Sequence, residues 1–229
     1  MSYDYVKDNY RALREEIASI ADRVGVPTPT LVAVTKSGTD EELVALAAAG
    51  VTDIGENRPQ ELIRRGALLA DAGYFPRLHE IGHLQTNKAA KVARIATLIH
   101  SVGSLSLAEE LSRIGGREGR KIPILVEVNS ACEAAKSGVC PEEIDPFVER
   151  VLALPHLSLC GLMTMGPNVE PEEIRPYFRL TKSIFDRVRT CYGYDTDAPV
   201  LSMGMSDSFR VAIEEGSTLV RVGRRLFIK

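Results

Sequence analysis

LVAVTKSGTDEELVALAAAGVTDIGE, residues 31–56, holds a strand, a helix and a second strand in one run. LVAVT (31–35) and VTDIGE (51–56) are short and apolar without strict alternation, as strands buried on both faces read. Between them Thr39-Asp40-Glu41-Glu42 is a capping box leading into LVALAAAG, with Gly50 as its stop.

The alternation continues outward. Further strand-like runs are 78–82, 98–102, 122–129, 157–163, 200–204 and 218–223. Helical patterns lie at 87–96, after Ser106, at 141–154, 173–193 (Pro176 marking its start) and 208–216, with an extra helix at 4–24 before the first strand. Eight such units predict parallel strands joined by right-handed crossovers. They suffice to close a (β/α)8 TIM barrel, and 229 residues lie near the short end of its range of roughly 200–400. An open doubly wound sheet is the alternative, but neither G-x-G-x-x-G nor a Walker A sequence is present. No linker divides residues 1–229, which read as one domain.

Composition narrows the function. Hydrophobic residues at 45% exclude a disordered chain. A net charge of −3 and only the short pairs Arg64-Arg65 and Arg224-Arg225 argue against nucleic-acid binding. No apolar run approaches the ~20 residues that span a bilayer, and the charged N-terminus has no signal-peptide pattern. Cys132, Cys140, Cys160 and Cys191 contain no C-x-x-C, so reduced thiols and a cytoplasmic location are expected.

In such a barrel the chemistry collects at the C-terminal strand ends. Lys36 follows the first strand, where desolvation in the mouth would make it a nucleophile toward aldehydes; the plain alternative is an ion pair with Glu56. At the seventh and eighth strand ends, Gly204-Met205-Ser206 and Arg221-Val222-Gly223-Arg224 offer a hydroxyl and backbone N–H groups to a phosphate. Taken singly, Ser206 reads as an N-cap and Gly223 as a turn; taken together with Lys36 they specify a phosphorylated aldehyde. His79-Glu80-Ile81-Gly82-His83 matches the zinc-protease string H-E-x-x-H, but that chemistry needs a helix and this stretch reads as a strand.

With these residues in place, the sequence resembles the pyridoxal phosphate homeostasis protein family along essentially its whole length. The matching segments include LVAVTK (31–36), DIGENRPQE (53–61), HEIGHLQTNK (79–88), VEVNSACEAAKSG (126–138), LSMGMS (201–206) and VRVGRRLF (220–227). The resemblance implies an alanine-racemase-like barrel without that enzyme's second domain. It implies that Lys36 forms the internal aldimine with pyridoxal 5′-phosphate, and that Ser206, Gly223 and Arg224 hold the phosphate. It also implies that Arg221 faces the pyridine nitrogen, that Asn57 lines the pocket, that Met203 packs near the ring and that Lys136 lies close to the mouth. Ser208, Gly103, Ile228 and His83 depart from the family's usual residues and touch helix capping and the C-terminal turn.

A ring nitrogen facing an always-charged arginine is not readily protonated and makes a poor electron sink. A racemase also needs a second acid/base group opposite the lysine, and none of the seven tyrosines can be placed there from sequence. The expectation is therefore a monomeric carrier that takes part in vitamin B6 homeostasis without turnover and delivers its cofactor to apo-enzymes. An amino-acid racemase, or a Schiff-base aldolase using Lys36 alone on sugar phosphates, are the alternatives.

Overall fold

The computed structural model describes residues 3–229. Eight parallel strands close into a barrel in sequential order: β1 (Thr30–Val34), β2 (Asp53–Glu56), β3 (Arg77–Glu80), β4 (Leu98–Val102), β5 (Ile122–Glu127), β6 (Leu157–Met163), β7 (Val200–Ser202) and β8 (Leu219–Val222). The helices are α1 (Asp4–Val24), α2 (Asp40–Ala48), α3 (Pro59–Asp71), α4 (Thr86–Ala93), α5 (Leu105–Glu118), α6 (Ile144–Leu152), α7 (Arg175–Cys191) and α8 (Phe209–Glu214). The expected barrel and the extra first helix are both present. The sequence reading does not single out α3, which starts on Pro59 at its first position. It also misplaces one cap: Ser104, not Ser106, accepts the Leu107 N–H at the start of α5.

Side-chain period two divides each strand between two environments. On β1, Leu31 and Ala33 pack outward with Leu13, Ile17, Leu43 and Leu46 of α1 and α2. Val32 and Val34 face inward, against Gly55 and Gly223. β1 closes the barrel on β8 with Val32 opposite Arg221. On α1, Val6, Tyr10, Leu13, Ile17 and Ile20 form one buried stripe at helical spacing, so this helix covers α2 and α8.

The capping box forms as read. Thr39 Oγ1 accepts the Glu42 N–H at 3.3 Å, and Glu42 Oε2 accepts the Thr39 N–H at 2.7 Å. Thr39→Ala is expected to cost about 1 kcal/mol, seen as a lower urea midpoint with an unchanged m-value.

Cysteine pairing departs from expectation. The segment after β5 folds back so that Cys132 and Cys140 lie 5.3 Å apart at Cα and form a disulfide, while Cys160 and Cys191 stay free. Sequence spacing does not reveal this pair because a loop reversal brings it together. Among the described residues no helix is long and apolar enough to cross a membrane.

Candidate functional site

The C-terminal strand ends form the barrel mouth. Lys36 is the first residue after Thr35, in a turn closed by the Gly38 N–H donating to Thr35 O at 2.9 Å. It has no hydrogen bond or ion pair among the described residues. The alternative pairing with Glu56 does not form. Glu56 instead accepts from Thr35 Oγ1 at 2.5 Å and pairs with Arg65 of α3 at 3.1 Å, on the outer face of the sheet. Arg65 also donates to the Thr35 carbonyl and thereby fixes the turn that carries Lys36. Lys36 is exposed, so the expected desolvation is not supplied by the protein alone.

Across the mouth, Ser206 Oγ accepts the Gly223 N–H at 3.4 Å. The two phosphate candidates are thus brought together from the β7 and β8 ends. Gly223 has no room for a side chain, since a Cβ there would lie 2.7 Å from Val34 O. The helix expected at 208–216 begins at Phe209 with Ser208 before it, whose Oγ accepts the Met205 N–H at 3.1 Å, so Ser206 is not its N-cap. The Ser206 site is therefore a turn rather than a helix terminus. Arg224 is exposed and paired with Asp207.

Asn57 is half-buried at the β2 exit, and its carbonyl packs so closely on Gly82 that a Cβ at Gly82 would come within 2.2 Å of it. Any side chain at residue 82 would displace the Asn57 loop. Lys136 pairs with Glu133 at 2.7 Å and donates to Gly166 O at 3.2 Å. It lines a cavity of about 360 Å³ at the mouth with Glu127, Asn129, Ser130, Gly166 and Met205.

Met203 requires a correction. Leu201 and Met203 share the outer face of β7 and its exit, and Met203 is fully buried in the layer containing Val211 and Ala212. Ser202, between them, faces the barrel axis. Period two turns Met203 toward the helices, away from any ring in the mouth.

Arg221 is the buried centre of the site. Its Nη1 donates to Ser202 Oγ at 2.5 Å and its Nη2 to Thr164 O at 3.0 Å. Burial lowers its pKa to about 10, partly offset by the Glu127 carboxylate, so it remains a cation at neutral pH. With two of its five N–H donors used on these partners, the guanidinium keeps donors for an acceptor above it. Burial in turn raises Glu127 to about 6, against the lowering pull of Arg221, and Glu127 Oε2 has no hydrogen-bond partner.

The H-E-x-x-H string lies on β3 and its exit, as the strand reading requires. His79 is buried, with Asp53 on one ring nitrogen and His100 on the other, while His83 meets Ser137 in an exposed loop. Sequence reasoning did not assign Asp53, His100, Ser202 or Glu127. Their signal is a polar residue at inward parity within an otherwise apolar strand.

A closed eight-stranded parallel barrel with a lysine leaving β1, a buried arginine on β8 and a serine–glycine turn at the β7–β8 rim defines an alanine-racemase-type barrel. The family described as alanine racemase, N-terminal domain, matches residues 9–228. Within that class the chain belongs to the pyridoxal phosphate homeostasis protein family. It is 41% identical over 179 residues to the pyridoxal phosphate homeostasis protein of Aquifex aeolicus (strain VF5), covering 78% of this chain and 77% of that one. The Pseudomonas aeruginosa relative of the same name is 36% identical over 226 residues, covering 94% of each. The structure of PipY from Synechococcus elongatus PCC7942 with PLP bound superimposes with a TM-score of 0.84 at 29% identity, over 97% of this chain and 100% of that one.

Proposed function

We propose that this protein binds pyridoxal 5′-phosphate at the barrel mouth and serves vitamin B6 homeostasis by holding and delivering the cofactor without catalytic turnover. The observation that carries this reading is the fully buried, cationic Arg221 beneath a mouth whose rim presents Lys36 on one side and the Ser206–Gly223 contact on the other. Lys36 supplies a free amine for the aldehyde. Ser206, Gly223 and Arg224 take the phosphate, Asn57 lines the pocket, and Arg221 donates to the ring nitrogen. The residues fit the group: the Ser206 hydroxyl and the Gly223 N–H meet at the rim as a hydroxyl and a backbone donor for a phosphate, and Arg221 has donors to spare.

The bound cofactor would supply an aldehyde able to exchange between amines. A cationic donor at the ring nitrogen disfavours protonation there, which weakens carbanion chemistry. Tyr5, Tyr10, Tyr192 and Tyr194 direct their hydroxyls to Glu42, Gly50 O, Glu149 and Phe185 O respectively, away from the mouth. All proposed ligands come from one chain, so a monomer completes the site. The partners of this reading are the cofactor and apo-enzymes in the cytoplasm.

The test pairs two measurements on loaded protein: recovery of activity by an apo-enzyme that needs pyridoxal phosphate, and exchange of the α-proton of alanine in deuterated water. Transfer without exchange is expected. Rapid exchange on the scale of catalytic turnover would make the protein an enzyme instead.

A further inference from the structure

A continuous line of buried side chains crosses the barrel interior. Asp53, at the start of β2, accepts from Arg77 at 2.6 Å and from Thr52 Oγ1 at 2.7 Å through Oδ2. Its Oδ1 lies 2.9 Å from His79 Nε2. His79 Nδ1 lies 3.0 Å from His100 Nε2, and His100 Nδ1 lies 3.0 Å from Ser202 Oγ. Ser202 Oγ in turn meets Arg221 at 2.5 Å. Asp53, His79, His100, Ser202 and Arg221 are all buried.

The two ends of this line have fixed hydrogen-bond character. Guanidinium only donates and an ionised carboxylate only accepts. Burial would raise the Asp53 pKa, but hydrogen bonds from His79, Arg77 and Thr52 outweigh it and hold the group at about 2. Ser202 must therefore accept from Arg221, which frees its own O–H to donate to His100 Nδ1. His100 is kept neutral by burial, with the cationic Arg221 adding to the same effect. Its proton then lies on Nε2 and goes to His79 Nδ1, which accepts it and leaves the Nε2–H of His79 for Asp53.

We propose that Asp53, His79, His100 and Ser202 form a hydrogen-bond relay of fixed polarity, Arg221 → Ser202 → His100 → His79 → Asp53, whose function is to position the Arg221 guanidinium for the ring nitrogen of the cofactor. The cofactor link rests on the binding function proposed above; the relay itself rests only on the protein. The four are positioning residues, acting through Arg221. The other charges facing the relay are Arg77 at its lower end and Glu127 near its upper end.

Asp53→Asn gives a distinctive test. Arg77 and Thr52 both donate at the Oδ2 position, so the asparagine carbonyl stays there and its NH2 turns to His79 Nε2. That reverses the relay: His79 and His100 each move their proton to Nδ1, and Ser202 then faces two donors. Long-range 1H–15N spectra of the cofactor-free proteins read this directly. The expected result is Nε2–H on both histidines in the wild type and Nδ1–H on both in Asp53→Asn. A protonated Nδ1 on either wild-type histidine, or unchanged tautomers in the variant, would overturn the relay.

Pyridoxal phosphate affinity of Asp53→Asn is expected to fall about tenfold, the size of one hydrogen bond to a charged group. A flip with unchanged affinity would overturn the positioning role. Should Asp53→Asn not fold, Ser202→Ala breaks the upper joint: Asp53 still holds both histidines as Nε2–H, and affinity falls by a similar factor. Ser202→Ala with wild-type affinity overturns the proposal equally. If the wild type binds no pyridoxal phosphate, the binding function fails visibly while the tautomer result still reports on the relay.

Discussion

Lys36→Ala protein mixed with pyridoxal phosphate and desalted is expected to emerge colourless, whereas the wild type emerges yellow. The colour reports the Schiff base that an amine forms with the aldehyde on losing water, and borohydride reduces it to a stable secondary amine. Lys36 is the group expected to form it because it leaves β1 at the mouth and has no competing partner. Glu56, the alternative partner, is occupied by Arg65 and Thr35. The effect is all or none for the covalent band, while the phosphate contacts proposed for Ser206 and Gly223 are untouched by the substitution. Mass spectrometry after borohydride should place the added mass on the peptide containing Lys36. A band of wild-type intensity in Lys36→Ala would assign the bond to another lysine, with Lys136 the first to examine because it lines the mouth cavity.

The second large effect concerns stability and pH. Glu80 is fully buried on β3, and burial raises its pKa to about 8; the Gly82 N–H bonded to it lowers the value somewhat and nearby Glu56 raises it. The ordinary carboxyl value is about 4.3. Below that value both folded and unfolded chains carry the proton. Between it and pH 8 the folded chain keeps a proton that the unfolded chain has released, so stability falls as pH rises. Above pH 8 the accumulated cost levels off at about 3–5 kcal/mol, from about 1.4 kcal/mol per pK unit. Glu80→Gln imitates the protonated form and keeps an acceptor for the Gly82 N–H. Urea unfolding at pH 4 and pH 9 should show near-equal stability at the lower pH and a variant more stable by about that amount at the higher. Parallel curves for the two proteins would show that Glu80 keeps its ordinary ionisation in the fold.

Much of the candidate site was readable because barrel chemistry follows strand ends. LVAVTK places Lys36, and the β7 and β8 exits place Ser206 and Gly223, from element order alone. Met203 was misread because its position at a strand end says nothing about which face it occupies; the Ser202 contacts with His100 and Arg221 settle that. The Cys132–Cys140 bond was missed because a loop reversal brings the two cysteines together. The relay was missed for a related reason: Asp53, His79, His100, Ser202 and Arg221 come from five different strands.

By itself, then, the sequence determined the eight strand–helix units, and with them the parallel order, the end of the barrel that carries chemistry and the residues on its rim. These follow from local periodicity and connection rules, which act over a few residues at a time. Only the tertiary structure decided that Glu56 binds Arg65 and leaves Lys36 free, that Met203 faces the helices, and that five buried polar groups join across the barrel. Those outcomes depend on strand register around a closed sheet, where a shift of one residue exchanges inside for outside.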